Sequence, residues 1–269
     1  MTEVDPRERS AMSLGFGAYQ IVRPLRPCGA IERYLVTDPE RLTHHVAFRL
    51  PLPVGCDQET FLDAVSRSSR VNCPHVLPVE QFAFASGEAA WIISPYTGDH
   101  DGLLLLSDLL ADKGGQFEAL EVRRALFQLV QGIESTHLSC AVHGEVSLGC
   151  VQVDRAGKLL VELPGLKQIG ETRVEDARQS EVRSLVRVAY ELLTGITPGE
   201  QIIEPSKLVD GLSSGWDRFV LEGLDAAAGY ASLSELTAAL DGVTAKPAVI
   251  EVKAKRVPRL GLIRRSSGV

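Results

Sequence analysis

Cysteine is sparse and unpatterned in this 269-residue chain. Cys28, Cys56, Cys73, Cys140 and Cys150 are odd in number, scattered, and never spaced as C-x-x-C, which argues against a disulfide framework and against a zinc site. Five buried or half-buried thiols are therefore expected. Long apolar runs are missing too. Nowhere do 18 apolar residues stand together, and the N-terminus MTEVDPRERS mixes both charge signs without the apolar stretch of a secretory signal. A cytoplasmic location is the resulting expectation. No internal repeat and no low-complexity segment interrupts the chain. What is present, 45% hydrophobic and 23% charged residues, is the composition of an ordinary globular protein that can build a core without cross-links.

Charge is unevenly spread. Residues 246–269 hold seven lysines and arginines against Glu251, a net +6, so the remainder carries −13 of the total −7. A basic tail on an acidic body can contact an acidic surface or nucleic acid, or lie back on its own domain.

Periodicity divides the chain in two. Tyr19 to Leu25 and Arg33 to Val36 predict strands around a turn RPCGA, and residues 44–52 a third strand with aliphatic and aromatic residues interleaved with charge. The two adjacent histidines His44 and His45 face opposite sides of such a strand and cannot chelate one metal. Residues 58–71 place Phe61, Leu62, Val65 and Ser69 at helical intervals, and two further strands follow around a Ser86-Gly87 turn. After the polar linker TGDHDG the pattern becomes helical: Val122, Ala125, Leu126, Leu129, Val130 and Ile133 lie on one face, DARQSEVRSLVRVAYELLTG forms a long helix stopped by Gly195 and Pro198, and a last helix opens with a Ser232 or Ser234 cap. The expected fold class is α+β, a small antiparallel β-rich lobe with one helix (17–96) and a larger helical lobe (97–243), flanked by an extension (1–16) and the basic tail (244–269).

In this order the elements, with the segments HGEVSLGC, LPG and YELLTG, resemble the protein kinase family, especially its compact bacterial serine/threonine type, from about Gly17 to Leu240. The resemblance implies a role for each matching position. In the glycine loop, whose backbone N–H groups reach phosphates where no Cβ intrudes, Arg26, Cys28 and Ile31 take the glycine positions, leaving only Gly29. VAFR matches the strand that carries the phosphate-clamping lysine and puts Arg49 there; a planar guanidinium does not replace a compact ammonium. Arg49 is expected to pair with Glu80 or Glu88 or to face solvent. The helix glutamate that pairs with the lysine falls on Ala64. In the catalytic loop His143 is kept as a packing residue, Gly144 replaces an arginine, Glu145 the aspartate base, Ser147 the lysine and Cys150 the metal-binding asparagine. In LPG, Leu163 stands at the magnesium-binding aspartate and Gly165 closes the motif; Glu162, one residue early, is expected on the opposite face. Asp154 begins a turn. The activation segment is short, with no A-P-E match, whereas Glu181 fills the aspartate position of the long helix.

The resemblance therefore implies a kinase-like fold with its chemistry removed: a pseudokinase serving as a binding, scaffolding or regulatory module for a protein partner, such as an active kinase or another signalling protein. No catalytic residue, no metal and no cofactor is expected. The alternatives are an active ATP- and magnesium-dependent serine/threonine kinase with Glu145 as base and Glu162 as metal ligand, its discriminating feature being that both carboxylates and Arg49 converge on one cleft, and an interaction module acting through the basic tail.

Overall fold

The computed structural model describes residues 19–86, 89–99, 102–140, 142–169, 173–225 and 227–243. The extension 1–16, the basic tail 246–269 and Glu88, all singled out from the sequence, lie outside the described residues.

Alternating exposure along Gln20–Cys28 (β1), with Ile31–Asp38 (β2) and Thr43–Pro51 (β3), marks strands with two differently covered faces. Together with Gln81–Ser86 (β4) and Ala89–Pro95 (β5) they form one antiparallel sheet in the order β1-β2-β3-β5-β4. Strand pairing extends further into RPCGA than the composition predicts. Cys28 pairs with Ile31, so the turn shrinks to Gly29 and Ala30, with Gly29 at φ +58° supplying the left-handed first position that a tight two-residue hairpin needs. Arg26 and Cys28 are strand residues as a result. Gln58–Ser68 (α1), capped by the Asp57 carboxylate on the Thr60 N–H at 2.9 Å, buries Phe61, Ala64 and Val65 in a cluster with Val46, Phe48, Leu50, Ala90 and Ile92. Ala47, Val36, Ile93 and Tyr19 cover the other face of the sheet.

The second lobe is helical: Leu106–Asp112 (α2), Ala119–Ser139 (α3), Val174–Thr194 (α4), Pro205–Leu208 (α5), Ser214–Leu224 (α6) and Leu233–Gly242 (α7). At the head of α7 it is Ser232 that caps, accepting from the Glu235 N–H at 3.2 Å. Helix α4 is buried on nearly all sides, with Val182, Leu185, Val186, Ala189, Tyr190, Leu192 and Leu193 in one core with α3, α6 and α7. At about 1.5–3 kcal/mol for each large aliphatic side chain removed from water, this helix is the main source of the lobe's stability. No described helix is long and apolar enough to cross a membrane. Between the lobes lie a 3₁₀ turn, Leu148–Cys150, and a short hairpin of Val151–Val153 (β6) and Leu159–Val161 (β7).

Candidate functional site

The loop before β6 is held from below. Glu181, in α4 and fully buried, accepts hydrogen bonds from the backbone N–H of His143 and from that of Gly144 (2.6 Å), while its other oxygen meets His137 Nε2 at 2.7 Å. Ser184, one turn on, accepts from the Val146 N–H at 2.9 Å. A single buried carboxylate thus fixes the loop's backbone; the resemblance put Glu181 at the aspartate position of the long helix without assigning it this role. His143 is itself fully buried. Its Nδ1 lies 2.9 Å from the Gly144 carbonyl and so donates; burial, with the Lys167 charge adding to it, drives the imidazole pKa down to about 3, which keeps the ring neutral. Glu145 is exposed and accepts from Ser180 Oγ at 2.6 Å, and Ser147 is exposed at the start of the 3₁₀ turn.

Arg49 faces solvent, one of the outcomes expected for it, whereas the structure corrects the expected placement of Glu162 and Leu163. On β3, Val46, Phe48 and Leu50 face α1, so Arg49 shares the outer face with Ala47; it is 46% exposed and pairs with Glu32 at 3.5 Å. Glu80, the partner expected for it, binds His45 Nδ1 at 2.7 Å instead. A lysine that pairs with a helix glutamate must face that helix, and on β3 that face is aliphatic and aromatic. Glu162 was expected to turn away from the cleft. However, Leu163 adopts φ +55°, which breaks strand alternation and buries both residues, Leu163 beneath α1 with Phe61 and Ala64, and Glu162 between the lobes. Glu162, and not the residue at the position of Leu163, therefore puts a carboxylate in the cleft. Gly165, at φ +73°, passes so close to Cys140 that a Cβ there would lie 2.7 Å from its sulfur.

Glu162 is not free. One oxygen forms a buried ion pair with Arg33 of β2 and the other accepts from Gln152 Nε2 at 2.6 Å, while Gln152 in turn accepts from Thr97 Oγ1 at 2.6 Å. Arg33, only 1% exposed, also donates to the carbonyls of Arg26 and Gly149, both at 2.9 Å. Burial pushes the Glu162 carboxyl upward, against the pull of Arg33 and Gln152. Lys167 completes the cluster: its Nζ is shut off from solvent without a hydrogen-bond partner among the described residues, and burial lowers its pKa to about 8, with Glu162 opposing the fall.

Two more links cross from the β1–β2 hairpin to the helical lobe. Arg26 pairs with Asp108 of α2. Cys28 and Cys150, expected as free thiols, are joined in a disulfide with Cα atoms 5.7 Å apart, within the usual range for such a bridge; Cys56, Cys73 and Cys140 remain free. Gly29 and Ile31 lie beside this link at the hairpin tip. Between Arg23–Arg26 and the segment of Leu103, Leu105 and Asp108 a cavity of about 190 Å³ remains, below the roughly 300–1,000 Å³ of typical ligand pockets.

Neither the Arg33–Glu162 pair nor the Cys28–Cys150 bridge stood out from the sequence, being 129 and 122 residues apart. The signal available for the bridge was that its two cysteines stand in two of the segments on which the resemblance rests, the glycine loop and the catalytic loop. The Arg49, Glu145 and Glu162 carried forward for an active site do not gather: Glu32, Ser180 and Arg33 are their respective partners.

A five-stranded lobe with one helix, a helical lobe, and a loop between them pinned by a helix carboxylate define a protein-kinase-like fold. Among solved structures the chain is similar to the kinase domain of Mycobacterium tuberculosis PknI, with a TM-score of 0.67 at 19% identity over 85% of this chain and 97% of that one. The C20A_R136N double mutant of the same domain gives a TM-score of 0.68 at 20% identity, covering 86% and 99%. At such identities the likeness is one of fold. No family model and no curated protein matches the sequence.

Proposed function

We propose that this chain is a catalytically inactive kinase-like domain, a pseudokinase, that works as a binding, scaffolding or regulatory module for a protein partner such as an active kinase. The observation that carries this reading is the buried Arg33–Glu162 pair, which lies between the lobes and commits the Glu162 carboxylate to a guanidinium instead of a metal. Its support comes from the apolar inner face of β3 and the Arg26–Asp108 and Cys28–Cys150 links. Losing one preorganised charge-stabilising group costs about two to three orders of magnitude in rate, and losing a general base about two to four. Phosphoryl transfer depends almost wholly on such groups, and active kinases turn over at only about 1–100 per second.

One observation favours a second reading, an active phosphotransferase: Glu162 does face the cleft. It would become a metal ligand only if Arg33 swung away and left a cation in its place, oxygen ligands being what magnesium requires. Titration with ATP and magnesium, followed by melting temperature and paired with a single-turnover phosphorylation assay, separates the two. The expected result is no saturable rise in melting temperature and no phosphate transfer. Saturable stabilisation together with transfer that disappears in Glu162→Gln would replace the inactive reading by the active one.

A further inference from the structure

We propose that the Cys28–Cys150 bridge is a redox latch that fastens the tip of the β1–β2 hairpin to the helical lobe in oxidising surroundings and releases it in reducing ones. It joins two elements that no chain connectivity holds together, 122 residues apart, across the cleft itself. Its surroundings suit a switch. Arg33 holds the hairpin at its base, through the Arg26 carbonyl on one side and Gly149 and Glu162 on the other. The tip beyond this base, Pro27 to Ile31, has the disulfide as its covalent tie to the other lobe, so breaking it frees the tip without dismantling the buried pair. Accessibility is one-sided as well: Cys28 is half-buried at the hairpin end, whereas Cys150 is 6% exposed in the 3₁₀ turn.

The chemistry follows from that asymmetry. A thiolate of a small dithiol attacks Cys28 Sγ, the Sγ–Sγ bond breaks, and the Cys150 thiolate leaves with the bonding pair and takes up a proton. The second thiolate of the dithiol then closes on its own mixed disulfide and expels Cys28 as a thiol. Two electrons have passed from the dithiol, now a cyclic disulfide, to the protein. Strain plays no part in this scheme; position does. The latched state has the hairpin tip clamped to the 3₁₀ turn Leu148–Cys150, and the released state offers a mobile tip and a second thiol beneath it.

This inference rests on the occluded-cleft reading for its meaning, yet the two fail separately. The full chain, purified without reductant, is denatured in iodoacetamide before or after treatment with dithiothreitol and its alkylated cysteines are counted by mass spectrometry; hydrogen exchange of the native chain is followed over 26–33 and 147–151 in both redox states. Three alkylated cysteines before reduction and five after, with faster exchange at the tip only in the reduced chain, are expected. Cys28→Ser should show the fast pattern in both conditions; were that variant not to fold, exchange in the reduced natural chain decides. Five alkylated cysteines without reductant, or identical exchange in both states, would overturn the latch and leave the occluded cleft standing. Magnesium–nucleotide binding by the reduced chain would do the opposite.

Discussion

Arg33 and Glu162 carry opposite charges into a place without water, and burial of an ion pair is rarely favourable for its own sake. The desolvation of each partner amounts to several kcal/mol, and what their attraction returns depends on saturating the remaining lone pairs and N–H groups. Here Gln152, Gly149 and Arg26 do much of that, while Arg33 Nε stays buried without a hydrogen-bond partner among the described residues. Removing one partner should therefore hurt far more than removing both. Arg33→Met is expected to lower stability by about 3–5 kcal/mol, and the double variant Arg33→Met, Glu162→Leu to recover most of it, as a urea-denaturation double-mutant cycle would show. Lys167 poses the converse case, an ammonium buried beside the pair without a hydrogen-bond partner of its own among the described residues. Its pKa falls from 10.5 to about 8 on folding, so the folded state binds this proton more weakly than the unfolded state. Below pH 8 the chain is protonated in both states and carries the full penalty; between about pH 8 and 10.5 the penalty fades. Lys167→Met is accordingly expected to raise the urea midpoint at pH 7, and by progressively less toward pH 10. His143 follows the same sign in a lower pH window. Its pKa falls from 6.5 to about 3 on folding, so no penalty exists above pH 6.5 and stability is lost progressively as the solution is acidified toward pH 3.

Elements were legible where local pattern and burial agree. Helix α4 stands out in sequence because its apolar residues recur at helical spacing up to the Gly195 stop, and its Glu181 was placed by the match of this segment to the kinase family. The sheet was legible as five strands, though not in its details: the hairpin turn is narrower than Pro and Gly content suggests, and Arg49 lies on the outer face because a strand's period of two leaves no tolerance for an error of one. The segment around Glu162 defeated alternation for a specific reason. Leu163 sits in the left-handed region, which for a leucine is unusual, and this rotates Glu162 into the cleft. The next backbone exception is legible in principle, since a glycine that must be glycine often marks a close approach. At Gly165 the positive φ and the sulfur of Cys140 both oppose a side chain. Gly165→Ala is expected to destabilise the chain by about 1–3 kcal/mol for the backbone conformation alone, with more from the contact, whereas Gly157→Ala, left-handed but open to solvent, should show the backbone part only. Comparing the two denaturation midpoints isolates the packing contribution.

At the scale of the whole molecule, the question is whether two lobes joined by a short linker behave as one body. Kinase-like lobes hinge when nothing but the linker and a shallow interface connects them, and hinge motion is what admits and releases a nucleotide. Three links from the β1–β2 hairpin oppose it here, and they are unequal. Arg26–Asp108 has one partner 62% exposed, and such surface pairs contribute about 0–1 kcal/mol at most. Arg33–Glu162 is strong only as long as every member of its network is present. The disulfide acts on the unfolded chain instead, by closing a loop of 122 residues; chain-entropy reasoning puts this near 5 kcal/mol, and measured bridges give about 2–4. Because that contribution resides in the unfolded state, it is expected to appear as a fall in the guanidinium midpoint on reduction, with the transition staying single if the buried pair still couples the lobes. If the lobes come apart instead, unfolding of the reduced chain should split into two phases, the helical lobe with its buried α4 melting last. Monitoring Trp91 in the sheet lobe and Trp216 in the helical lobe, through Trp91→Phe and Trp216→Phe variants, distinguishes these outcomes. Coincident transitions in the oxidised chain are expected in either case, since a covalent link across the cleft, added to the network beneath it, leaves neither lobe a route to unfold alone.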